Sequence, residues 1–224
     1  MFSRPAYRWE GLDRERMAVI PPCIDAFAAK NQPMAPPTGS AILQAAGIRS
    51  RIPWASSRDS SATSPTRLGA YLVLAGPAAT AVSDDPESEQ VLQQVRRAAA
   101  ALPIEARPRL HPACPPMDDL KENGAMVNAL QRRADVIVQK SLAEGFGLTV
   151  AEAMWKACPV LASRVGGIQD QITHDRSGLL LDDPSDLAAF GRATTSLLED
   201  HERAARLGRE AHRRVRQDTS HPGG

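Results

Sequence analysis

Short apolar runs alternate along this chain with longer segments in which apolar residues recur every three or four positions. A short run rich in β-branched residues favours a buried strand, and the longer period favours a helix with one apolar face. The predicted strands lie at residues 70–77, 107–113, 135–138, 159–162 and 177–181. The predicted helices lie at residues 84–102, 120–133, 150–156, 186–198 and 202–216. Strands that alternate with helices predict an α/β fold with a parallel sheet of four or five strands and right-handed crossovers.

The segments outside this alternation set the expected domain limits. Residues 1–31 form a lead-in that Pro21-Pro22 interrupts, and residues 32–69 are rich in Pro, Ser and Arg. The second segment is therefore predicted to be irregular or disordered, apart from one or two helical turns near Ile42–Ala46. Residues 70–217 are predicted to form the α/β domain, and residues 218–224 a disordered tail.

Charge and cysteine content exclude several classes of protein. The chain has 224 residues, with 27 Lys and Arg against 26 Asp and Glu, so its net charge of +1 argues against nucleic-acid binding. Its three cysteines are far apart and lack metal-ligand spacing, so neither a disulfide framework nor a metal site is expected. The most apolar run, Ala70–Val82, is too short to span a bilayer, and the N-terminus lacks a signal-peptide core. A cytoplasmic protein without membrane contact is the expectation.

The most informative stretch runs from Gln139 to Trp155 and is predicted to fold as strand, glycine turn and helix. The first turn of a helix leaves backbone N–H groups without partners, and the helix dipole adds positive charge there. A phosphate can bind at such a point, which in a parallel sheet lies at the carboxyl end of a strand. The amides of Gly147, Leu148 and Thr149 are the candidate donors. A second glycine pair, Gly166-Gly167, either approaches the ligand or simply turns the chain.

Two carboxylates flank this turn, with Glu144 before it and Glu152 on the helix. The acid and base of a glycoside hydrolase need carboxyl groups about 5–9.5 Å apart. Eight residues of helix rise roughly 12 Å, so the two groups more naturally contact different parts of one long ligand.

The spacing from Glu144 to Glu152 resembles the donor-site motif of retaining GT-B glycosyltransferases of family 4. With Gln139–Ser141 before it, Met154–Lys156 after it and Ala162–Gln169 further on, the run is similar to the trehalose synthase branch. The resemblance covers about residues 18–31 and 71–216. It implies that this chain is the Rossmann-like, donor-binding half of a GT-B fold, with the nucleotide-sugar site in residues 70–217.

The resemblance also implies roles for single residues. Glu144 becomes the catalytic residue that contacts hexose hydroxyls, and Glu152 the residue that binds the nucleotide ribose. The turn Gly145-Phe146-Gly147-Leu148-Thr149 would meet the donor diphosphate, and no metal or cofactor is required. Lys140 could add positive charge at the phosphates, or could be an ordinary solvated surface lysine.

The implied reaction transfers glucose from UDP- or ADP-glucose to an acceptor sugar with retention, and the product in this branch is trehalose. Two features depart from the family. The segment Ile20–Asp25 resembles the family's crossing between domains, so the acceptor domain that should precede it is expected to be absent. In the family, an Arg and a Lys bind the donor diphosphate. This sequence has no such motif, since Ser57-Arg58-Asp59 resembles it only poorly and no Lys follows. A non-catalytic nucleotide-sugar-binding fragment and a trehalose phosphorylase-type enzyme therefore remain alternatives, and a homodimer is left open.

Overall fold

The computed structural model describes residues 24–46, 48, 70–76, 86–103, 110–113, 115 and 119–219. The predictions for residues 1–23, for residues 47 and 49–69 of the irregular segment and for residues 220–224 of the tail lie outside these ranges. The helices are α1 (Pro36–Ala45), α2 (Pro86–Ala101), α3 (Leu120–Arg133), α4 (Leu148–Trp155), α5 (Ile168–Gln171), α6 (Leu187–Glu199) and α7 (His201–Thr219). The strands are β1 (Leu72–Ala75), β2 (Leu110–Ala113), β3 (Ile137–Gln139), β4 (Val160–Ser163) and β5 (Leu179–Leu181).

The five predicted strands and five predicted helices are all present, with ends shifted by a few residues. Helix α6 begins where Asp186 accepts a 2.8 Å hydrogen bond from the Ala189 amide, as its capping sequence predicts. Helix α1 is longer than the one or two turns expected, because Pro36 and Pro37 occupy its first turn, where proline is tolerated. Helix α7 reaches Thr219, beyond the predicted end at Arg216, so residues 218 and 219 are helical and not part of a disordered tail.

The chain divides into two compact units, residues 28–130 and residues 1–27 with 131–224. In the first unit β1 and β2 pair in parallel, and α1 and α3 contribute to a buried core with Leu43, Met126 and Ala129. The side-chain amide of Asn128 donates to the carbonyls of Ala29 and Gln32, which fixes the loop before α1. The described strands thus lie in two parallel sheets, where the sequence predicted one. The α/β class with parallel strands and flanking helices is confirmed.

The second unit is built on a three-stranded parallel sheet in the order β3-β4-β5. Alternate residues of its strands point to opposite faces. Val160, Ala162 and Leu180 join one buried cluster with α4, α5 and α7, and Leu161 and its neighbours join a second cluster with α6 and α7. A parallel sheet covered on both faces is buried and mostly apolar along its strands, as β4 and β5 are.

Strand register decides where the loops of this unit lie. Gln139 pairs with Ala162, and Ser163 pairs with Leu181, so the three strands end at the same edge of the sheet. The loop from β3 to α4 and the loop from β4 to α5 therefore leave adjacent strands side by side. Among the described helices none is both long and apolar enough to cross a membrane.

Candidate functional site

The turn between β3 and α4 depends on glycine at its last position. Gly147 has φ 85° and ψ 59°, the left-handed conformation that glycine adopts without strain. A Cβ at this position would lie 2.7 Å from Cγ1 of Ile168, which is too close for any side chain. The turn thus reverses the chain tightly and starts α4 directly against the β4–α5 loop.

The start of α4 presents backbone donors. In the described part of the chain, nothing accepts a hydrogen bond from the amides of Phe146, Gly147, Leu148 and Thr149. The next two amides, those of Val150 and Ala151, donate to the Gly147 carbonyl at 3.0 and 3.3 Å. Leu148 and Thr149 are also exposed. Open amides at the positive end of a helix can bind an anion such as a phosphate.

The two carboxylates differ in environment. Glu144 is half-buried, and its Oε1 accepts a 3.0 Å hydrogen bond from the Gly145 amide, so that amide is engaged within the turn. Glu152 lies in the middle of α4 and is only 6% exposed. Glu152 is therefore the more enclosed of the two carboxylates, and Glu144 is the more accessible one.

The second glycine pair packs on the first turn. The Gly167 amide donates to the Gly145 carbonyl at 2.8 Å, and a Cβ at Gly167 would lie 2.9 Å from both the Gly145 oxygen and the Phe146 Cα. Gly167 is therefore glycine because the two loops touch at this point. The side-chain amide of Gln171 donates to the Phe146 carbonyl and, at 3.5 Å, to the Gly147 carbonyl. Sequence patterns gave no signal for Gln171.

Lys140 lies at the carboxyl end of β3, beside α6. Its Nζ is 6.0 Å from the centre of the Phe190 ring, within the range of a cation–π contact. The pKa of Asp183 is lowered mainly by hydrogen bonds from Ser185, with a smaller contribution from the charge of Lys140. The ammonium group therefore lies at the sheet edge that carries the turn, and its binding to a phosphate stays a prediction.

The profile of the family described as "Glycosyl transferases group 1" matches residues 65–214. The chain belongs to the glycosyl transferases group 1 family. The match runs from before β1 into α7 and includes the glycine turn and both carboxylates. The family resemblance of the run from Gln139 to Ile168 is thereby confirmed.

The curated relatives of this chain include proteins named trehalose synthase. The protein of Rubrobacter xylanophilus is 33% identical over 231 residues, which covers 96% of this chain and 52% of the relative. The protein of Thermococcus litoralis is 46% identical over 92 residues, 41% of this chain and 22% of the relative. The chain thus spans about half the length of the first of these relatives.

A solved structure supports the fold. The structure of HepE from Anabaena in complex with UDP-glucose is 19% identical to this group 1 chain, with a TM-score of 0.58. The match covers 86% of this chain and 51% of HepE. At this identity the likeness concerns the fold alone.

Proposed function

We propose that this chain is the nucleotide-sugar-binding domain of a retaining glycosyltransferase that transfers glucose from UDP- or ADP-glucose to an acceptor sugar and forms trehalose. The name of its curated relatives supports the trehalose assignment. The complex of HepE with UDP-glucose supports the class of donor, because a similar fold binds that ligand there. Binding of the donor is the part of the reaction that these residues can carry.

The observation that carries the proposal is the open start of α4. When the bond between sugar and diphosphate breaks, negative charge develops on the departing diphosphate. Donors fixed by the fold stabilise that charge without reorganising. The amides of Leu148 and Thr149 are such donors, since they are exposed and have no other hydrogen-bond partner in the described part of the chain.

The carboxylates complete the proposed site. Glu144, at the edge of the turn, would accept hydrogen bonds from hexose hydroxyls. Glu152, buried one turn further along α4, would accept from the ribose. A nucleotide sugar has hydroxyl groups on both sides of its diphosphate, so one ligand can meet both acids and the amides between them.

Turnover is expected to be weak in this chain by itself. No Arg and Lys pair of the family's type follows Ser57-Arg58-Asp59 in the sequence. Loss of one such electrostatic contact typically costs about 2.7–4 kcal/mol of transition-state stabilisation. Donor binding is therefore the more informative measurement, and product formation the second.

The test uses a proline substitution that deletes one backbone donor. Thr149→Pro removes the amide hydrogen in the first turn of α4, where proline is tolerated, as Pro37 is in the second position of α1. Thr149→Ala is the matched control, because it removes the side chain and keeps the amide. Calorimetry with UDP-glucose and ADP-glucose should give affinity roughly tenfold or more weaker for Thr149→Pro, since a hydrogen bond to a charged group contributes about 1.5–3 kcal/mol. Thr149→Ala should bind like the wild type.

Product assays separate the remaining possibilities. Trehalose from nucleotide-glucose and glucose supports the transferase, and binding without product supports a binding module. Trehalose from glucose 1-phosphate would instead identify a phosphorylase. Absence of binding to either nucleotide sugar would overturn the proposal.

A further inference from the structure

We propose that Gln171 is a positioning residue that aims the backbone amides of the glycine turn at the donor diphosphate. This inference rests on the proposed function, since it assigns a task to a residue behind the same site. It adds a side chain that neither the Glu-x7-Glu spacing nor the glycine pattern indicates. The supporting observation is that three consecutive carbonyls of the turn accept hydrogen bonds from the same neighbouring segment.

The carbonyls of Gly145, Phe146 and Gly147 all accept hydrogen bonds from the β4–α5 segment. Gly167 donates its backbone amide to the first at 2.8 Å. Gln171 donates its side-chain amide to the second, and to the third at 3.5 Å. The last three residues of the turn are therefore held by their oxygens, and among the described residues Gln171 is the only side-chain donor to them.

The direction of the carbonyls fixes the direction of the amides. A peptide unit is planar and trans, so the N–H of each residue points opposite to the preceding carbonyl. The oxygens of Gly145 and Phe146 are directed toward the β4–α5 segment, so the amides of Phe146 and Gly147 point away from it. The Gly147 oxygen also accepts hydrogen bonds within α4, so the direction of the Leu148 amide is set by α4 together with Gln171. These three amides have no hydrogen-bond partner within the described residues. The hydrogen bonds from Gln171 and Gly167 thus orient the donors that a diphosphate would meet.

The orientation of the Gln171 side chain that holds the turn is itself destabilising. Its side chain is buried, with 9% exposed, and its Oε1 has no hydrogen-bond partner in the described part of the chain. A buried acceptor without a partner is destabilising, and an apolar residue of similar size would avoid that penalty. An apolar residue could not hold the carbonyls, however. The amide orientation is also fixed, because the two turn carbonyls can only be met by the NH₂ group.

Helix α5, which carries Gln171, is anchored from its far side. It has four residues and would not be stable alone. The Arg214 guanidinium on α7 donates to the Asp170 carbonyl at 2.7 Å and to Thr173 Oγ1 at 3.2 Å. The position of Gln171 is therefore set by α7 as well as by its own short helix, which suits a residue that must hold a fixed direction.

Two substitutions and one control test the inference in the full chain. Gln171→Met keeps the volume and removes the donor. Gln171→Glu keeps the shape, and as a carboxylate it turns an acceptor toward the two carbonyls. Gln169→Met is the control, since Gln169 lies on the same helix and, among the described residues, its side chain donates only to the nearby Gly166 carbonyl, at 3.0 Å. Thermal unfolding of each variant shows whether the fold is retained.

The expected result is a loss of UDP-glucose affinity of about tenfold for Gln171→Met, with Gln169→Met within twofold of the wild type. Burial raises the pKa of a carboxyl group, so Gln171→Glu should have a larger protonated fraction at about pH 5.5 than at about pH 8. Its protonated O–H can donate to the Phe146 carbonyl. We therefore expect its affinity to recover toward the wild-type value as pH falls. Recovery between two pH values at which thermal unfolding shows the variant to be folded distinguishes a positioning role from a loss of the fold.

The outcomes separate the two proposals. A wild-type chain that binds, with Gln171→Met equal to Gln169→Met, overturns the positioning role and leaves the proposed function standing. Equal losses in Gln171→Glu at both pH values, after subtraction of the wild-type profile, also overturn it. A wild-type chain that binds no nucleotide sugar overturns the proposed function, and this inference with it.

Discussion

The amide of Gly167 donates a 2.8 Å hydrogen bond to the carbonyl of Gly145, and this bond joins the loops that follow two adjacent strands. β3 and β4 pair in parallel, so their loops begin side by side at one edge of the sheet. The contact leaves no room for a side chain at Gly167. The shape of the candidate donor site therefore depends on a residue outside the Glu-x7-Glu motif.

Gly167→Ala should push the two loops apart. Its Cβ would lie 2.9 Å from the Gly145 oxygen and the Phe146 Cα, both backbone atoms that cannot rotate away. We expect a loss of stability of about 1–3 kcal/mol, typical of overpacking, and UDP-glucose affinity weaker by at least tenfold. Chemical denaturation measures the first effect and calorimetry the second.

Gly191→Ala provides the control. Gly191 lies inside α6, and a Cβ there would meet nothing within 4 Å. Alanine in a helix interior is favoured over glycine by about 0.5–1 kcal/mol, so this variant should be slightly more stable and bind normally. If Gly167→Ala bound UDP-glucose as well as Gly191→Ala does, the contact between the loops would have no bearing on the site.

The glycine turn could be predicted from the sequence because its signals are local. A short β-branched run, two glycines and a run of helix formers specify strand, turn and helix without any distant contact. The contact of Gly167 with Phe146 and the hydrogen bonds of Gln171 could not be predicted in this way. They join residues more than 20 positions apart and depend on the register of β3 with β4. Helix α5 was not predicted either, because four residues are too few to show the apolar period of a helix.

Substitutions of the two carboxylates should change the affinities for UDP and for UDP-glucose in different ways. Glu152→Gln should weaken the binding of UDP by about tenfold or more, because the ribose is part of UDP and a hydrogen bond to a charged acceptor contributes about 1.5–3 kcal/mol. Glu144→Gln should leave UDP affinity unchanged and weaken UDP-glucose, because the hexose is the part that Glu144 would contact. Calorimetry with both ligands gives the four comparisons.

Glutamine is the appropriate replacement at both positions, because Glu152 is 6% exposed and alanine would leave a cavity. Equal losses for UDP and UDP-glucose in Glu144→Gln would contradict the assignment of that residue to the hexose. Unchanged UDP affinity in Glu152→Gln would contradict the assignment to the ribose.

Asp175 provides a pH-dependent contribution to stability. Its Oδ1 accepts 3.1 and 2.7 Å hydrogen bonds from Nε and Nη2 of Arg203, which lower the pKa of the carboxyl group. Because the folded-state pKa lies below the unfolded value of about 3.9, the contribution is present above about pH 4 and is lost as pH falls through the folded-state pKa. Both side chains are partly exposed, so we expect only about 0.5–1 kcal/mol.

A double-mutant cycle measures this pair. Asp175 has φ 58°, a conformation that asparagine tolerates, so Asp175→Asn removes the charge without adding backbone strain. Combined with Arg203→Gln, it should give a coupling energy of about 0.5–1 kcal/mol at pH 7 that decreases as pH falls below about 4. A coupling energy that does not change with pH would show that the charge of Asp175 is not its source.

Cys158 should be inert in the folded chain. It is buried, its thiol donates to the Gln131 carbonyl at 3.1 Å, and burial raises its pKa to about 11. At pH 8 only about one thiol in a thousand would be ionised, and the thiolate is the reactive form. Iodoacetamide labelling followed by peptide mass measurement should find Cys158 unmodified in buffer and modified in denaturant. Rapid labelling in buffer would indicate local opening between α4 and β4.

Gly208→Ala should be the most destabilising substitution among the described glycines of the second unit. A Cβ at Gly208 of α7 would overlap the carbonyl oxygen of Ala157, in the turn that ends α4. That turn is itself constrained, since Ala157 has φ 57°, a conformation that costs a non-glycine residue about 1–2 kcal/mol. Relief of the overlap requires α7 to move from α4, which would disturb the packing of Leu207 and Ala211 in the core.

We therefore expect Gly208→Ala to lower stability by about 3 kcal/mol, at the upper end of overpacking effects. Gly191→Ala again serves as the control for the change in helix propensity. Since α7 also holds α5 through Arg214, the same variant should weaken UDP-glucose binding although Gly208 is not part of the proposed site. If Gly208→Ala were as stable as Gly191→Ala, α7 would be able to move away from α4 without loss of stability. Helix α7 could not then fix the position of Gln171.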